Sequence, residues 1–163
     1  MTDLIRIRPA TAGDAAALIQ FNAAMALETE RKVLLPEVIG KGVHHLLAHP
    51  EMGFYVIAES GGDVAGSLMV TNEWSDWRNG NFWWIQSVYV RPEFRRRGVY
   101  RQLYKHLQAR AAEDRSICGF RLYVERDNVR AQETYRTAGM RETRYIMFEE
   151  LKPGIRFYEP EKK

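Results

Sequence analysis

One cysteine in 163 residues, Cys118, excludes an intrachain disulfide and any metal site built from cysteines. Within Ile117-Cys118-Gly119-Phe120 it is expected to pack as a small apolar side chain. No apolar run approaches the roughly 18 residues that a membrane span needs. The opening Met-Thr-Asp-Leu-Ile-Arg lacks both a basic stretch and a long apolar stretch of the kind that targets secretion, so the expected compartment is the cytoplasm, with no membrane partner. Charge of neither sign dominates. The 24 lysines and arginines against 21 acidic residues leave +3, too little for a dedicated nucleic-acid binder. His44, His45 and His49 have no carboxylate or cysteine at ligand spacing, and no metal is expected. Repeats of 20 to 50 residues and low-complexity linkers are missing as well, so the elements must share one core and residues 1–163 are expected to form one domain.

The sequence is 45% hydrophobic and 28% charged, enough apolar side chain for a real core. Alternation in Leu4-Ile5-Arg6-Ile7-Arg8 predicts a strand. Thr11-Ala12-Gly13-Asp14 has the form of a capping box opening a helix to about Glu30. Pro36 starts a second helix that stops near His49-Pro50. Strands over 54–59 and 64–71 flank Ser60-Gly61-Gly62-Asp63, a hairpin turn. A polar, aromatic loop is expected over 72–81, then a buried strand over 82–90. Leu103 and Leu107 recur at helical spacing up to about Asp114. A strand over 120–125 and a helix capped by Asp127 or Asn128 and ending before Gly139 follow, and 140–150 and 155–158 read as two late strands. The order β α α β β β α β α β β is an α/β fold with a mixed sheet.

The chemistry concentrates in Val88-Tyr89-Val90-Arg91-Pro92-Glu93-Phe94-Arg95-Arg96-Arg97-Gly98-Val99-Tyr100-Arg101, a strand, a basic turn with glycine, and a helix start. That order suits an anion, because the first turn of a helix has unpaired N–H groups and the positive end of the dipole, and glycine admits a phosphate close to the backbone. Three or four backbone donors plus an arginine suffice for a pyrophosphate, at about 1.5 to 3 kcal/mol per charge-assisted bond.

Arg95-Arg96-Arg97-Gly98-Val99-Tyr100 resembles the signature of the GCN5-related N-acetyltransferase (GNAT) family, which is Arg or Gln, two residues, Gly, one residue, then Gly or Ala. Tyr100 departs from the small last residue, so its side chain must turn away from the phosphates. A second block, Asn128-Val129-Arg130-Ala131-Gln132-Glu133-Thr134-Tyr135 followed by Ala138-Gly139-Met140, matches the family's Asn, Ala, Tyr and Gly spacing. The resemblance implies a mixed, mostly antiparallel sheet with helices on both faces. It also implies acetyl-coenzyme A as donor, its pantetheine arm paired like an extra strand to Val88, Tyr89 and Val90, and its phosphates at Arg95, Arg96, Arg97, Gly98, Val99, Tyr100 and Arg101. Asn128 and Tyr135, two helical turns apart, would line the same cleft.

By the same resemblance Tyr135 donates a proton to the leaving thiolate. With ordinary pKa values of about 10 for tyrosine and 8.5 for a thiol, that transfer needs only modest tuning. The acceptor, a small-molecule or peptide amine, has no obvious base: the central strand offers Gln86 and Ser87 where some family members have glutamate. Glu28 and Glu30, near the region that borders the family's acceptor site, and Glu73 are the alternatives. Trp74, Trp77, Trp83 and Trp84 either wall an aromatic or cationic acceptor or divide between core and hairpin loop. The expected activity is N-acetyl transfer to a primary amine by direct attack in a ternary complex. A non-catalytic acyl-coenzyme A sensor is the alternative, and family dimers through late strands make a homodimer a further expectation.

Overall fold

The computed structural model describes residues 4–160. Along the chain run β1 (Arg6–Pro9), α1 (Ala15–Glu30), α2 (Pro36–Ala48), β2 (Gly53–Ser60), β3 (Asp63–Ser75), β4 (Gly80–Val90), α3 (Val99–Glu113), β5 (Ile117–Arg121) and α4 (Val129–Thr137). The strands form one sheet in the order β1-β2-β3-β4-β5. Every pairing is antiparallel except β4 with β5, which is parallel. This is a mixed, mostly antiparallel α/β sheet with helices on both faces.

Period-2 alternation sorts the central strands between those faces. Val56, Ala58, Leu68, Val70, Trp83 and Ile85 pack with Val99, Leu103, Tyr104 and Leu107 of α3. Tyr55 and Ile57 pack with Leu18 of α1 and with Val43 and Leu46 of α2. Each fully buried Leu, Ile or Val among them contributes about 1.5–3 kcal/mol.

Local chemistry fixes the helix ends. Asp14 Oδ2 accepts from the Thr11 N–H at 2.7 Å and from Thr11 Oγ1 at 3.1 Å, closing one 3₁₀ turn before α1. The same carboxylate takes a bidentate grip from Arg8 at 2.8 Å on each oxygen, which ties β1 to the start of α1. Arg31, in the left-handed region at φ 55°, ends α1. Pro36 occupies the first turn of α2, and Gly61 and Gly62, at φ 60° and 87°, make the β2–β3 turn.

Four expectations are corrected. The loop over 72–81 is instead a long hairpin: β3 continues to Ser75, β4 begins at Gly80, and Asn72↔Trp83 and Trp74↔Asn81 are register partners. Ladder hydrogen bonds hold this stretch although its side chains are polar. The fifth strand is shifted to Ile117–Arg121, because its pairing with Asn81–Trp84 sets its limits. Cys118 is exposed; Asn81 and Phe82 pair with Ile117 and Gly119, so Cys118 is the extra residue of a bulge rather than a core side chain. The two late strands do not form within the chain. Residues 140–158 hold only the bridge Leu34↔Tyr158, and Tyr145 and Phe148 are 78% and 88% exposed, with no apolar face to dock.

Candidate active site

β4 carries the site because it loses a partner part-way along. Its pairing with β5 stops at Trp84↔Arg121, so residues 85–90 have a free edge on that side. On the other side a bulge intervenes. Ser67 faces Tyr89 and Met69 faces Gln86, which sets Leu68 opposite both Ser87 and Val88. Ser87 adopts φ 49° to make the turn in the strand. An edge opened in this way leaves N–H and C=O groups for a ligand that can pair like a strand.

The basic turn leads from the end of β4 into α3. Arg96 (φ 64°) and Gly98 (φ 75°) are both left-handed, and no side chain caps α3. The first N–H groups of the helix are therefore free to meet an anion, in the manner of a backbone nest. A Cβ placed on Gly98 would meet only the Arg101 guanidinium, 3.7 Å away, so the ground in front of the helix is open.

The arginines do not act alike. Arg95 donates from Nε to Val90 O at 2.8 Å and from Nη2 to Glu28 Oε2 at 2.8 Å, and its guanidinium lies 5.6 Å from the Tyr89 ring centre. Arg97 and Arg91 both lie against Phe94, at 5.4 and 5.5 Å. Arg96, Arg97 and Arg101 are exposed at the turn.

Tyr100 turns inward, parallel to Tyr104 at 6.1 Å and edge-on to Tyr135 at 5.5 Å. Its hydroxyl is buried with no hydrogen-bond partner, and burial pushes its pKa up. Tyr135 of α4 is thus brought against the first turn of α3, and burial raises its pKa too, so it is protonated at neutral pH. Asn128 caps α4, accepting from Ala131 N–H at 3.1 Å.

Of the carboxylates, Glu28 is joined to the β4 opening: it accepts from Tyr89 OH at 3.3 Å as well as from Arg95. Glu30 pairs instead with Lys32 at 2.6 Å. Glu73 is held by Trp84 Nε1 at 2.7 Å and by Arg121. The tryptophans divide: Trp83 is core at 5% exposed, Trp84 is half-buried, and Trp74 and Trp77 stand out from the hairpin at 59% and 84%. Among the described residues no cluster of three or more His, Cys, Asp or Glu side chains is placed to hold a metal ion.

The sequence profile of the acetyltransferase (GNAT) family matches residues 21–140, from α1 through the end of α4. The chain belongs to that family. A possible acetyltransferase from Clostridium difficile 630 is 43% identical, covers 91% of this chain and 98% of its own, and superposes with a TM-score of 0.84. A predicted acetyltransferase from Clostridium acetobutylicum, solved with acetyl-CoA, shares the fold at 17% identity, 90% and 96% coverage and a TM-score of 0.74. So does aminoglycoside N-acetyltransferase AAC(6')-Iy in complex with CoA, at 16% identity, 93% and 97% coverage and a TM-score of 0.73. The sequence matches no curated protein.

Contacts that the sequence does not announce lie around this stretch of β4. Tyr123 donates to Gln86 Oε1 at 3.1 Å, and Gln86 Nε2 donates to Thr71 at 2.7 Å. Asn22 of α1 is buried, with Nδ2 fixed on Leu18 O at 2.9 Å. None carries a motif; only the fold brings them together. Glu28 and Arg95 are 67 residues apart, and nothing in their spacing announces the pair.

Proposed function

We propose that this GNAT protein is an acetyl-coenzyme A dependent N-acetyltransferase, in which a primary amine attacks the thioester directly within a ternary complex. The single observation that carries the reading is the continuity of β4's free edge with the uncapped, glycine-opened start of α3. Strand-like amides and a pyrophosphate are the two things that this combination suits. The solved relatives with acetyl-CoA and with CoA support the same donor.

Acetyl-coenzyme A supplies an activated acyl group: a C–N bond forms to the amine, the C–S bond breaks, the amine loses one proton and the thiolate gains one. Val88, Tyr89 and Val90 offer backbone groups to the pantetheine arm. The N–H groups from Gly98 to Arg101 and the side chains of Arg96, Arg97 and Arg101 hold the phosphates. Arg95 is pre-set by Glu28 and Val90 O, so Glu28 acts as a positioning residue for the basic turn. Asn128 fixes the start of α4 and with it the place of Tyr135. Tyr135 is the proton donor to the thiolate; burial raises its pKa and makes it a weaker acid, so the same desolvation must raise the basicity of the thiolate beside it.

The amine must shed its own proton. An ordinary alkylammonium of pKa about 10.4 is neutral about once in 2,500 at pH 7, roughly 4.6 kcal/mol to be offset. Glu28 is engaged by Arg95 and Tyr89, and desolvation of the amine beside β4 supplies the offset. The chain acts in the cytoplasm, on soluble amines, and a homodimer through the exposed residues 140–158 accounts for their uncovered apolar side chains. No helix among the described residues is long and apolar enough to cross a membrane.

Tyr135→Phe tests the assignment. It keeps the ring against Tyr100 and removes only the proton, so kcat should fall about 10²-fold while the acetyl-CoA Kd stays put. Thiol release followed at saturating acetyl-CoA reads this, and full turnover in the variant would refute it.

A further inference from the structure

A groove of about 540 Å³ lies on the α1/α2 face of the sheet and reaches Ser87 at the β4 bulge. Its walls are apolar, from Ile39, Leu46, Met52, Tyr55 and Met69, and Asn22, Thr71 and Ser87 provide neutral polar groups. Asn22, anchored through Nδ2, keeps Oδ1 to accept an N–H. One charged residue, Lys41, and the imidazole of His45 line the groove from α2, and no carboxylate does.

Three acidic side chains near this face are engaged elsewhere, and Glu37, one turn before Lys41 on α2, stands outside the groove lining. Glu51 meets His49 at 3.0 Å, Glu28 meets Arg95 at 2.8 Å, and Glu30 meets Lys32 at 2.6 Å. Among the described residues no ion pair takes up Lys41 or His45.

We propose that the acceptor is a small amine with an apolar body and a carboxylate, the chemistry of an apolar α-amino acid, and that Lys41 at the groove's rim selects it. The proposal rests on the acetyl-transfer reading above and names the substrate class of that site. A polyamine or other polycation would enter a groove whose lining holds a lysine and no carboxylate, and would strip water from its ammonium groups against five apolar side chains. An apolar amino acid fits all three features: its side chain fills the walls, its carboxylate meets Lys41, and its amine reaches Asn22 and the bulge. Acetylation also converts a zwitterion of zero net charge into a monoanion, so the basic rim holds the product's form better than the substrate's ammonium. The apolar walls favour the neutral amine, the form that attacks, in keeping with a groove lining that holds no carboxylate.

The test measures kcat/KM with acetyl-CoA for L-methionine, L-leucine and L-phenylalanine, for the amide of each, and for spermidine. At least one amino acid should exceed its own amide and spermidine by about tenfold, and Lys41→Ala should cut that carboxylate-to-amide preference about tenfold. A second readout avoids turnover: N-acetyl-L-methionine, N-acetyl-L-leucine and N-acetyl-L-phenylalanine are titrated calorimetrically into the protein with CoA present, and the tightest should bind about tenfold more weakly to Lys41→Ala. Preference for spermidine or for the amides, or product binding indifferent to Lys41, overturns the proposal and leaves acetyl transfer standing. Failure of acetyl-CoA itself to bind in the same calorimeter overturns the acetyl-transfer reading instead.

Discussion

Replacing Gly98 by glutamate puts a carboxylate where the phosphates are expected, and its cost separates into two measurable parts. Gly98 sits at φ 75°, so any side chain there strains the backbone by about 1–2 kcal/mol. For a chain of this length that lowers Tm by about 2–8 °C. The free protein adds no clash, since the new Cβ meets only the flexible end of Arg101 at 3.7 Å. The charge then repels the ligand and also draws the Arg101 guanidinium away from it. A carboxylate about 5 Å from one phosphate charge, at an effective dielectric constant of about 20, is repelled by about 3 kcal/mol at low salt, about 10²-fold in Kd. Gly98→Ala carries the backbone strain without the charge and should lose far less affinity. Thermal melts and calorimetric titration with acetyl-CoA on both variants read the two parts. A Gly98→Glu protein that melts as predicted yet binds acetyl-CoA within twofold of the parent would refute the phosphate placement.

Two further perturbations probe the surroundings. Glu28→Gln and Glu30→Gln should behave unequally in steady-state kinetics: the first releases Arg95 and should lower kcat/KM several-fold, whereas the second disturbs only an exposed pair with Lys32 and should match the parent within twofold. Asp14, gripped by Arg8 and bonded to Thr11, has its pKa lowered to about 2, below an unfolded value of about 3.8. Its contribution is therefore complete above about pH 4 and is lost as pH falls toward 2. Asp14→Asn should cost about 2 kcal/mol in urea denaturation at pH 7 and flatten the acid limb of stability between those values.

The sequence disclosed most of the fold wherever side-chain patterning or a cap decides structure. Alternation marked β1, the glycine pair marked the β2–β3 turn, and Pro36 and Asn128 marked the starts of α2 and α4. It failed where the backbone ladder decides instead. Asn72, Glu73 and Ser75 look like loop residues, yet register with β4 keeps them in a strand. Residues 144–148, Arg-Tyr-Ile-Met-Phe, have strand-like composition, yet no edge within the chain takes them up. At the candidate site, the turn at Gly98 and the start of α3 were legible because a glycine and a helix start stand together in the sequence. The Glu28–Arg95 pair, the Gln86–Tyr123 contact and the orphaned Tyr100 hydroxyl were not, since each depends on elements far apart in sequence.

The most direct test of the account is amide hydrogen exchange on the whole chain with and without saturating CoA. Exchange should slow in peptides covering residues 85–90 and 95–101, where β4 has its free edge and α3 its uncapped start. Protection confined to other elements, or none at saturation, would contradict it.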